Sequence, residues 1–370
     1  MDICLKIAQE LEIKKSQVEA AVTLIDEGNT IPFISRYRKE VTGALNDEQL
    51  RNLNERLQYL RNLEEKKEQV LNSIEEQGAL TEELKEKILA AETLVLVEDL
   101  YRPYRPKRKT RASVAKEKGL MPLAEYILAQ TATEDVLLEA DKYLSEEEGK
   151  EVKSAEEALQ GAKDIIAEQI SDEADYRIFI RDLTMQEGTI KSTAKDAEVK
   201  SVYENYYDFE EKLSKTAGHR VLALNRGEKE KILTVKVVAP EERVVSFLQK
   251  QVITAKNPFT TPILEEVALD AYDRLIAPAI EREVRNELTE KAEDGAINVF
   301  GKNLEMLLMQ PPVAGKVVLG WDPAFRTGCK LAALDETGKV LETGVIYPTS
   351  GPGRIPEARM KLMALLKILF

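Results

Sequence analysis

The sequence predicts a mainly α protein: a multi-helix N-terminal region with a helix-turn-helix-like element, followed by a short α/β segment. Three observations predict it. Before Pro311-Pro312, apolar residues recur at helical spacing through most of the chain. The 18 Gly and 14 Pro lie below their usual joint share of about 12 %, too few for a sandwich or barrel of many turns. After Pro312 the pattern changes to short apolar runs separated by turn residues. At 370 residues with 43 % hydrophobics, the chain is long enough for two or three domains with sizeable cores.

Ile3, Ile7 and Leu11 form a first helical stripe, and Val18, Ala21, Val22 and Ile25 a second. Ser16 is placed to cap the second helix, with Glu19 three residues on as a capping box. Two short helices within residues 1–27, joined by a tight turn, have a helix-turn-helix shape, although a plain helical hairpin is the commoner meaning of that pattern. Gly28-Asn29 ends the second helix and Pro32 blocks its continuation.

Asn46 to Gln77 reads as one amphipathic helix. Leu50, Leu53, Leu57 and Leu60 hold a 3-4-3 seam, as an antiparallel coiled-coil hairpin would. Glu64 and Lys67 occupy the next seam positions while Leu63 and Val70 take over the apolar role, so the stripe shifts face. A helix of some 30 residues is about 45 Å long. Gly78 ends it, and Thr81 to Ala91 returns as another helix, giving a hairpin over 46–91.

Pro103 and Pro106 favour an extended Tyr101 to Lys107. Ser113 to Gln130 is helical, with a break near Gly119 and Pro122. Glu134 to Glu157 carries ten acids against three lysines, a solvated face or loop. Helices follow from Ala155 to Glu187. Val221 to Ala239 reads either as a hairpin about Asn225-Arg226-Gly227-Glu228 or as a helix and one strand. Pro262 to Met309 is helical again. KVVLGWD, CKLAALD and KVLETGVIYP are strands, and Pro356 to Phe370 is a closing helix. Three strands and one helix bury too little to stand alone, so residues 313–370 are expected to begin an incomplete domain after a helical region over 1–312.

Composition excludes several chemistries. With 53 Lys plus Arg against 66 Asp plus Glu, the net charge is −13, so any nucleic-acid contact must come from a local basic patch. Cys4, Cys329 and His219 cannot build a disulfide framework or a Cys/His zinc site, and a Ser-His-Asp arrangement could use only His219. That histidine, in TAGHRVLAL, reads as a structural hydrogen-bonding residue. No P-loop or dinucleotide fingerprint occurs, so no cofactor is expected. There is no secretory signal and no apolar run of 18 or more, which points to a reducing cytoplasm and no membrane.

The strongest local signal is the basic segment. Arg102, Arg105, Lys107, Arg108, Lys109 and Arg111 place six positive charges in ten residues with no acid among them, and Tyr101 and Tyr104 are interleaved. Fixed cations neutralise phosphates and aromatic faces stack on bases, so these arginines and lysines with Tyr104 are candidate nucleic-acid contacts. Six phosphate contacts would give a log-log salt slope near −5 on duplex DNA. The competing reading pairs them with carboxylates such as Glu98 and Asp99. Arg36-Tyr37-Arg38-Lys39 is a second, weaker cluster. Asp322, ending the first C-terminal strand in GWDPAFRTG, stands where ribonuclease-H-like nucleases place a metal ligand. Two-metal chemistry needs several converging carboxylates, and only Asp335 follows, so Asp322 reads as a turn residue or a vestige.

IPFISRYRKEVTGALNDEQLR, EDLYRPYRPKRKTRASVAKEKGL, GHRVLALNRGE and GWDPAFRTGCKLAALD are long and idiosyncratic, and they span nearly the whole chain. In them the chain resembles the N-terminal half of the bacterial Tex family of transcription accessory proteins. The resemblance implies that residue 314 onward begins a YqgF-type ribonuclease-H-like domain without a complete active site. Family members continue with helix-hairpin-helix elements and an OB-fold RNA-binding domain, so the part present here is expected to bind RNA or DNA weakly. Ala324 stands where the family's strand-loop has glycine. Three functions follow: a non-catalytic nucleic-acid-binding transcription accessory protein; a metal-dependent nuclease using Asp322; or a scaffold whose long helices dock on RNA polymerase or the ribosome. The first is favoured.

Overall fold

A computed structural model describes residues 2–106, 109–311, 313–349 and 351–369. The first two helices start where local side chains satisfy free amides, and the third where a proline removes one. In α1 (Ile3–Glu10), Asp2 Oδ1 accepts from the Leu5 amide at 2.9 Å. α2 (Lys15–Asp26) begins earlier than a Ser16 cap would allow. The Gln17 side-chain carbonyl accepts from the Lys14 amide at 3.1 Å, which puts the cap at Lys14 and Ser16 inside the first turn. α3 (Ile31–Tyr37) carries Pro32 in its first turn.

The long helix α4 (Asp47–Glu76) has both halves of a capping box. Asn46 Oδ1 accepts from the Gln49 amide at 2.8 Å, and Gln49 Oε1 accepts from the Asn46 amide at 3.1 Å. Its buried face is Leu50, Leu53, Leu57, Leu60, Leu63, Lys67, Val70 and Ile74. Lys67 remains on that face because its ammonium donates to Glu64 Oε1 and to the Leu89 carbonyl, both at 2.9 Å. α5 (Glu82–Ala90) and α6 (Leu94–Tyr101) complete the first core, whose buried residues run from Ile7 to Val97. The expected coiled-coil hairpin is corrected here. α5 has only nine residues, and α1, α2, α3 and α6 also cover the apolar face of α4.

The chain after α6 turns instead of extending. The Tyr101 carbonyl accepts from the amides of Tyr104 (2.9 Å) and Arg105 (3.0 Å), a turn compatible with the fixed φ of Pro103. Four further helices follow: α7 (Arg111–Glu117), α8 (Met121–Ala129), α9 (Val136–Ala140) and α10 (Ala155–Asp172). α11 (Ala174–Glu187) then leads into β1 (Thr189–Ala194) and β2 (Asp208–Lys212). α12 (Gly218–Lys229) and β3 (Leu233–Val238) settle the Val221–Ala239 ambiguity as a helix and a strand. The sheet is antiparallel with order β2-β1-β3. Gly227 does not make a turn. A Cβ there would lie 2.6 Å from Leu233 Cδ1, so glycine lets α12 close on β3.

α13 (Glu241–Val252) and α14 (Thr261–Asp270) precede a π-helical turn, Ala271–Ile276, that runs directly into α15 (Ala277–Leu308). Pro278 explains the wide turn: it offers no amide and its ring crowds the carbonyl four residues back. The second core runs from Ala112 to Ala292. The chain divides into two compact units, Met1–Glu293 and Asp294–Phe370. In the second unit, β4 (Val318–Asp322), β5 (Cys329–Leu334) and β6 (Val340–Ile346) form an antiparallel meander. α16 (Ile355–Leu369) packs on one face over Cys329, Leu331, Ala333 and Ile346. Among the described residues, no helix is long and apolar enough to cross a membrane. Cys4 and Cys329 are free thiols.

Candidate nucleic-acid interface

The basic segment joins the two cores of the first unit, leaving α6 and entering α7. Its first residue, Arg102, is anchored. Arg102 donates from Nε to Asp172 Oδ1 on α10 at 3.3 Å. Burial, and then the nearby Arg177 guanidinium, hold Arg102 below the usual arginine range. Arg105 is 65 % exposed and pairs loosely with Glu98 at 3.5 Å, a carboxylate that Lys66 also holds at 2.6 Å. Glu98 is therefore a partner of the segment, as the competing reading had it, whereas the Asp99 carboxylate makes its ion pairs with Arg177 and Arg181.

The tyrosines pack inward. Tyr101 and Tyr104 lie against the first core. Tyr101 Oη shares a 2.9 Å hydrogen bond with Ser73 Oγ, and the Tyr104 carbonyl accepts from Gln77 at 2.9 Å. Lys107 and Arg108 lie outside the described residues. Lys109 and Arg111 are exposed, and neither makes an ion pair among the described residues. Between them Thr110 fixes the start of α7: its Oγ1 accepts from the Ser113 amide at 3.0 Å and donates to Glu168 at 3.0 Å. Lys116 in α7 and Lys118 at its C-terminal cap pair with Glu168 (3.5 Å) and Glu157 (2.7 Å).

Behind the segment lies a charge cluster that sequence reasoning does not find. Arg177 on α11 is fully buried. It donates from Nε to Asp99 Oδ1 at 2.7 Å and from Nη2 to Glu283 Oε1 at 2.5 Å. Arg181, one turn on, donates from Nη2 to Asp99 Oδ2 and to Glu283 Oε2, both at 2.6 Å. Arg177 Nη1 has no acceptor among the described residues. Two arginines and two carboxylates thus tie α6 of the first core to α11 and α15 of the second. The adjacent acids Glu98 and Asp99 in the otherwise apolar run LVLVEDLY are the trace of this cluster in the sequence. A cavity of about 790 Å³ opens here, walled by α6, the basic segment, α10 and α11.

The remaining candidates stand apart from this region. Arg36, Tyr37, Arg38 and Lys39 are exposed at the end of α3, with the Arg38 guanidinium 5.1 Å from the Phe33 ring centre. His219 is exposed in the first turn of α12 and makes no side-chain hydrogen bond among the described residues, so its expected structural bond is absent. Asp322 ends β4 opposite Lys330 of β5. Asp335 organises the β5–β6 turn, where its Oδ1 accepts from Thr337 Oγ1 (2.6 Å) and from the amides of Thr337 and Lys339. The Thr337 hydroxyl holds its carboxyl below the usual aspartate range. Among the described residues, no three His, Cys, Asp or Glu side chains converge as a metal site.

Three family models match the chain: a Tex-like protein N-terminal domain over residues 1–75, a Tex central region over 131–300, and a Tex protein YqgF-like domain over 316–369. An uncharacterised protein of Bacillus subtilis, YdcI, is 52 % identical over 98 % of this chain and 50 % of its own length. Protein tex of Bordetella pertussis is 41 % identical over 98 % of this chain and 47 % of its own. The transcriptional accessory protein Tex of Neisseria gonorrhoeae is 39 % identical over 94 % and 46 %. The chain therefore spans about half the length of the curated relatives it matches.

Proposed function

The chain belongs to the Tex family, and from that premise we propose that it is a non-catalytic, nucleic-acid-binding accessory of transcription. Its contact surface is the segment from Arg102 to Arg111. The observation that carries this reading is the unequal use of the cations there. Arg102 is committed to Asp172, and Arg105 shares Glu98 with Lys66. Lys109 and Arg111, by contrast, are exposed without an ion pair among the described residues. Cations left unpaired in a protein of net charge −13 find their anions in a partner.

The absence of catalysis is part of the same proposal. Asp322 faces a lysine across the strand pair, and a lone carboxylate cannot hold two ions about 4 Å apart. The test is binding of duplex DNA and single-stranded RNA as a function of salt. Among the described residues two cations are free, and they contribute about −2 to the log-log slope on duplex, at about −0.9 per phosphate, against the −5 expected if all six contributed. Replacing Lys109 and Arg111 by glutamine should flatten the slope by about 2. A slope unchanged by the double substitution removes the segment from the interface.

A further inference from the structure

We propose that the end of α3 is a single-strand nucleic-acid site, where an unpaired base stacks on Tyr37 and the flanking phosphates meet Arg36 and Lys39. The proposal rests on the nucleic-acid reading above and deepens it with a second contact, on a different element and for one form of the ligand.

Four observations support it. First, Tyr37 is 61 % exposed, and of the twelve tyrosines it alone is exposed. Tyr101 and Tyr104 of the basic segment pack inward, whereas this ring is open to a base. Second, its neighbours are cations without carboxylate partners. Arg36, Arg38 and Lys39 are exposed and make no ion pair among the described residues. Glu40 is the one acid between Thr30 and Asn46, and Asp47 beyond them is held by Arg51 at 2.6 Å. Free cations beside an open ring supply what a nucleotide requires, one for its phosphates and the other for its base. Third, the order of the residues is suitable. Successive helical residues stand about 100° apart around the axis, so Arg36 falls to one side of Tyr37 and Arg38, at the C-cap, to the other. Phe33, one turn back, braces both: its ring centre is 5.4 Å from that of Tyr37 and 5.1 Å from the Arg38 guanidinium. Fourth, the backbone is fixed while the side chains are free. Ile34 and Thr42 are buried, the Arg38 carbonyl accepts from the Val41 and Thr42 amides at 3.1 Å, and the Lys39 carbonyl accepts from the Ala44 amide at 2.7 Å. Gln17 of α2 donates to the Gly43 carbonyl at 2.9 Å and ties the loop down. A site ordered in advance loses less entropy on binding. A duplex keeps its bases stacked on one another, so only a single strand can use Tyr37.

The 370-residue chain is titrated by fluorescence anisotropy, over a salt series, with oligo-U, oligo-dT and a DNA duplex. Tyr37→Ala removes the ring, Tyr37→Phe restores it, and Arg36→Gln with Lys39→Gln removes two cations. All three positions are exposed, and each variant is checked for an unchanged melting temperature. Tyr37→Ala should weaken single-strand binding about tenfold at every salt concentration, and Tyr37→Phe should bind like the parent, with duplex binding the same for all three. The cation variant should reduce the single-strand log-log slope by about 1.4, at about 0.7 per phosphate. Equal losses on oligo-U and oligo-dT make the ligand any single strand, and a loss on oligo-U alone makes it RNA. Single-strand binding unchanged by Tyr37→Ala, or weakened equally with the duplex, overturns the proposal. Binding of an oligoglutamate peptide that the cation variant loses, with single-strand binding unchanged in every variant, overturns it in favour of an acidic protein segment. Lys109→Gln with Arg111→Gln is run beside these. If it alone weakens binding, the reading of the basic segment stands and this site falls. If Tyr37→Ala alone weakens it, this site stands and the basic segment falls. A parent that binds no oligonucleotide at low salt refutes both.

Discussion

Replacing Asp99 by asparagine removes one charge from the cluster that joins the two cores and leaves its volume nearly unchanged. Asp99 has 5 % side-chain exposure and accepts two charge-assisted bonds, from Arg177 at 2.7 Å and from Arg181 at 2.6 Å. The two arginines are balanced by Asp99 and Glu283; after Asp99→Asn only Glu283 remains, so one positive charge stays buried and uncompensated. Removing one partner of a buried ion pair costs about 3–5 kcal/mol. At about 2–4 °C per kcal/mol for a unit of this size, the melting temperature should fall by at least roughly 6 °C. Differential scanning calorimetry gives the size of the shift and also whether the two cores still melt together. The reasoning makes a second demand. Asp99→Leu combined with Arg177→Met removes both charges and should recover most of the loss, because apolar replacements of a buried pair are often neutral or better. A shift under about 2 °C for Asp99→Asn, or a double variant no more stable than the single one, would refute the claim that charge balance holds this junction.

Gly188→Ala should destabilise by about 1–3 kcal/mol in a urea melt, because the new Cβ would lie 2.4 Å from the Thr184 carbonyl oxygen and 3.0 Å from that of Val238, both backbone atoms. Asn46→Ala should cost about 0.5–2 kcal/mol by removing the cap of α4, again read by urea melt. Arg285 hydrogen-bonds Glu228 and holds its carboxyl below the ordinary glutamate value of 4.5, so its contribution is present above that value and is lost as pH falls through the lower folded-state value. Glu228→Gln should accordingly flatten the acid limb of the stability–pH curve, and an unchanged limb removes the pair from acid sensitivity. Burial pushes the Tyr272 phenol up to about 12, so phenolate absorbance should show one tyrosine ionising late, and Tyr272→Phe should delete that step.

Much of the helical framework is legible in the sequence because each start has a local cause. Asn46 and Gln49 announce α4, and Gly78 follows its end. The C-terminal meander is legible from its turns, Arg326-Thr327-Gly328 and Glu336-Thr337-Gly338. β1 and β2 are not, because Thr189–Ala194 and Asp208–Lys212 are polar and become strands only by pairing with each other and, for β1, with β3. Lys14 caps α2 in place of Ser16 because Gln17 satisfies an amide that no pattern of serine and glutamate marks. The basic segment is visible as charge, but the division between anchored and free cations depends on Glu98 and on Asp172, seventy residues away from Arg102. Arg177 is invisible for the same reason: its partners lie 78 and 106 residues away.

The buried ammonium of Lys67 limits how this chain can change in length. Inserting one residue into the middle of α4 rotates everything beyond it by about 100°. That would swing Lys67 away from the Leu89 carbonyl and bring a polar residue into the leucine stripe. An insertion of seven returns the stripe to within about 20° of its place. Insertions that keep the stripe facing the core therefore come in steps of about seven or eleven residues, while the loop at Gly78, where a Cβ would meet nothing within 4 Å, has room for single-residue steps.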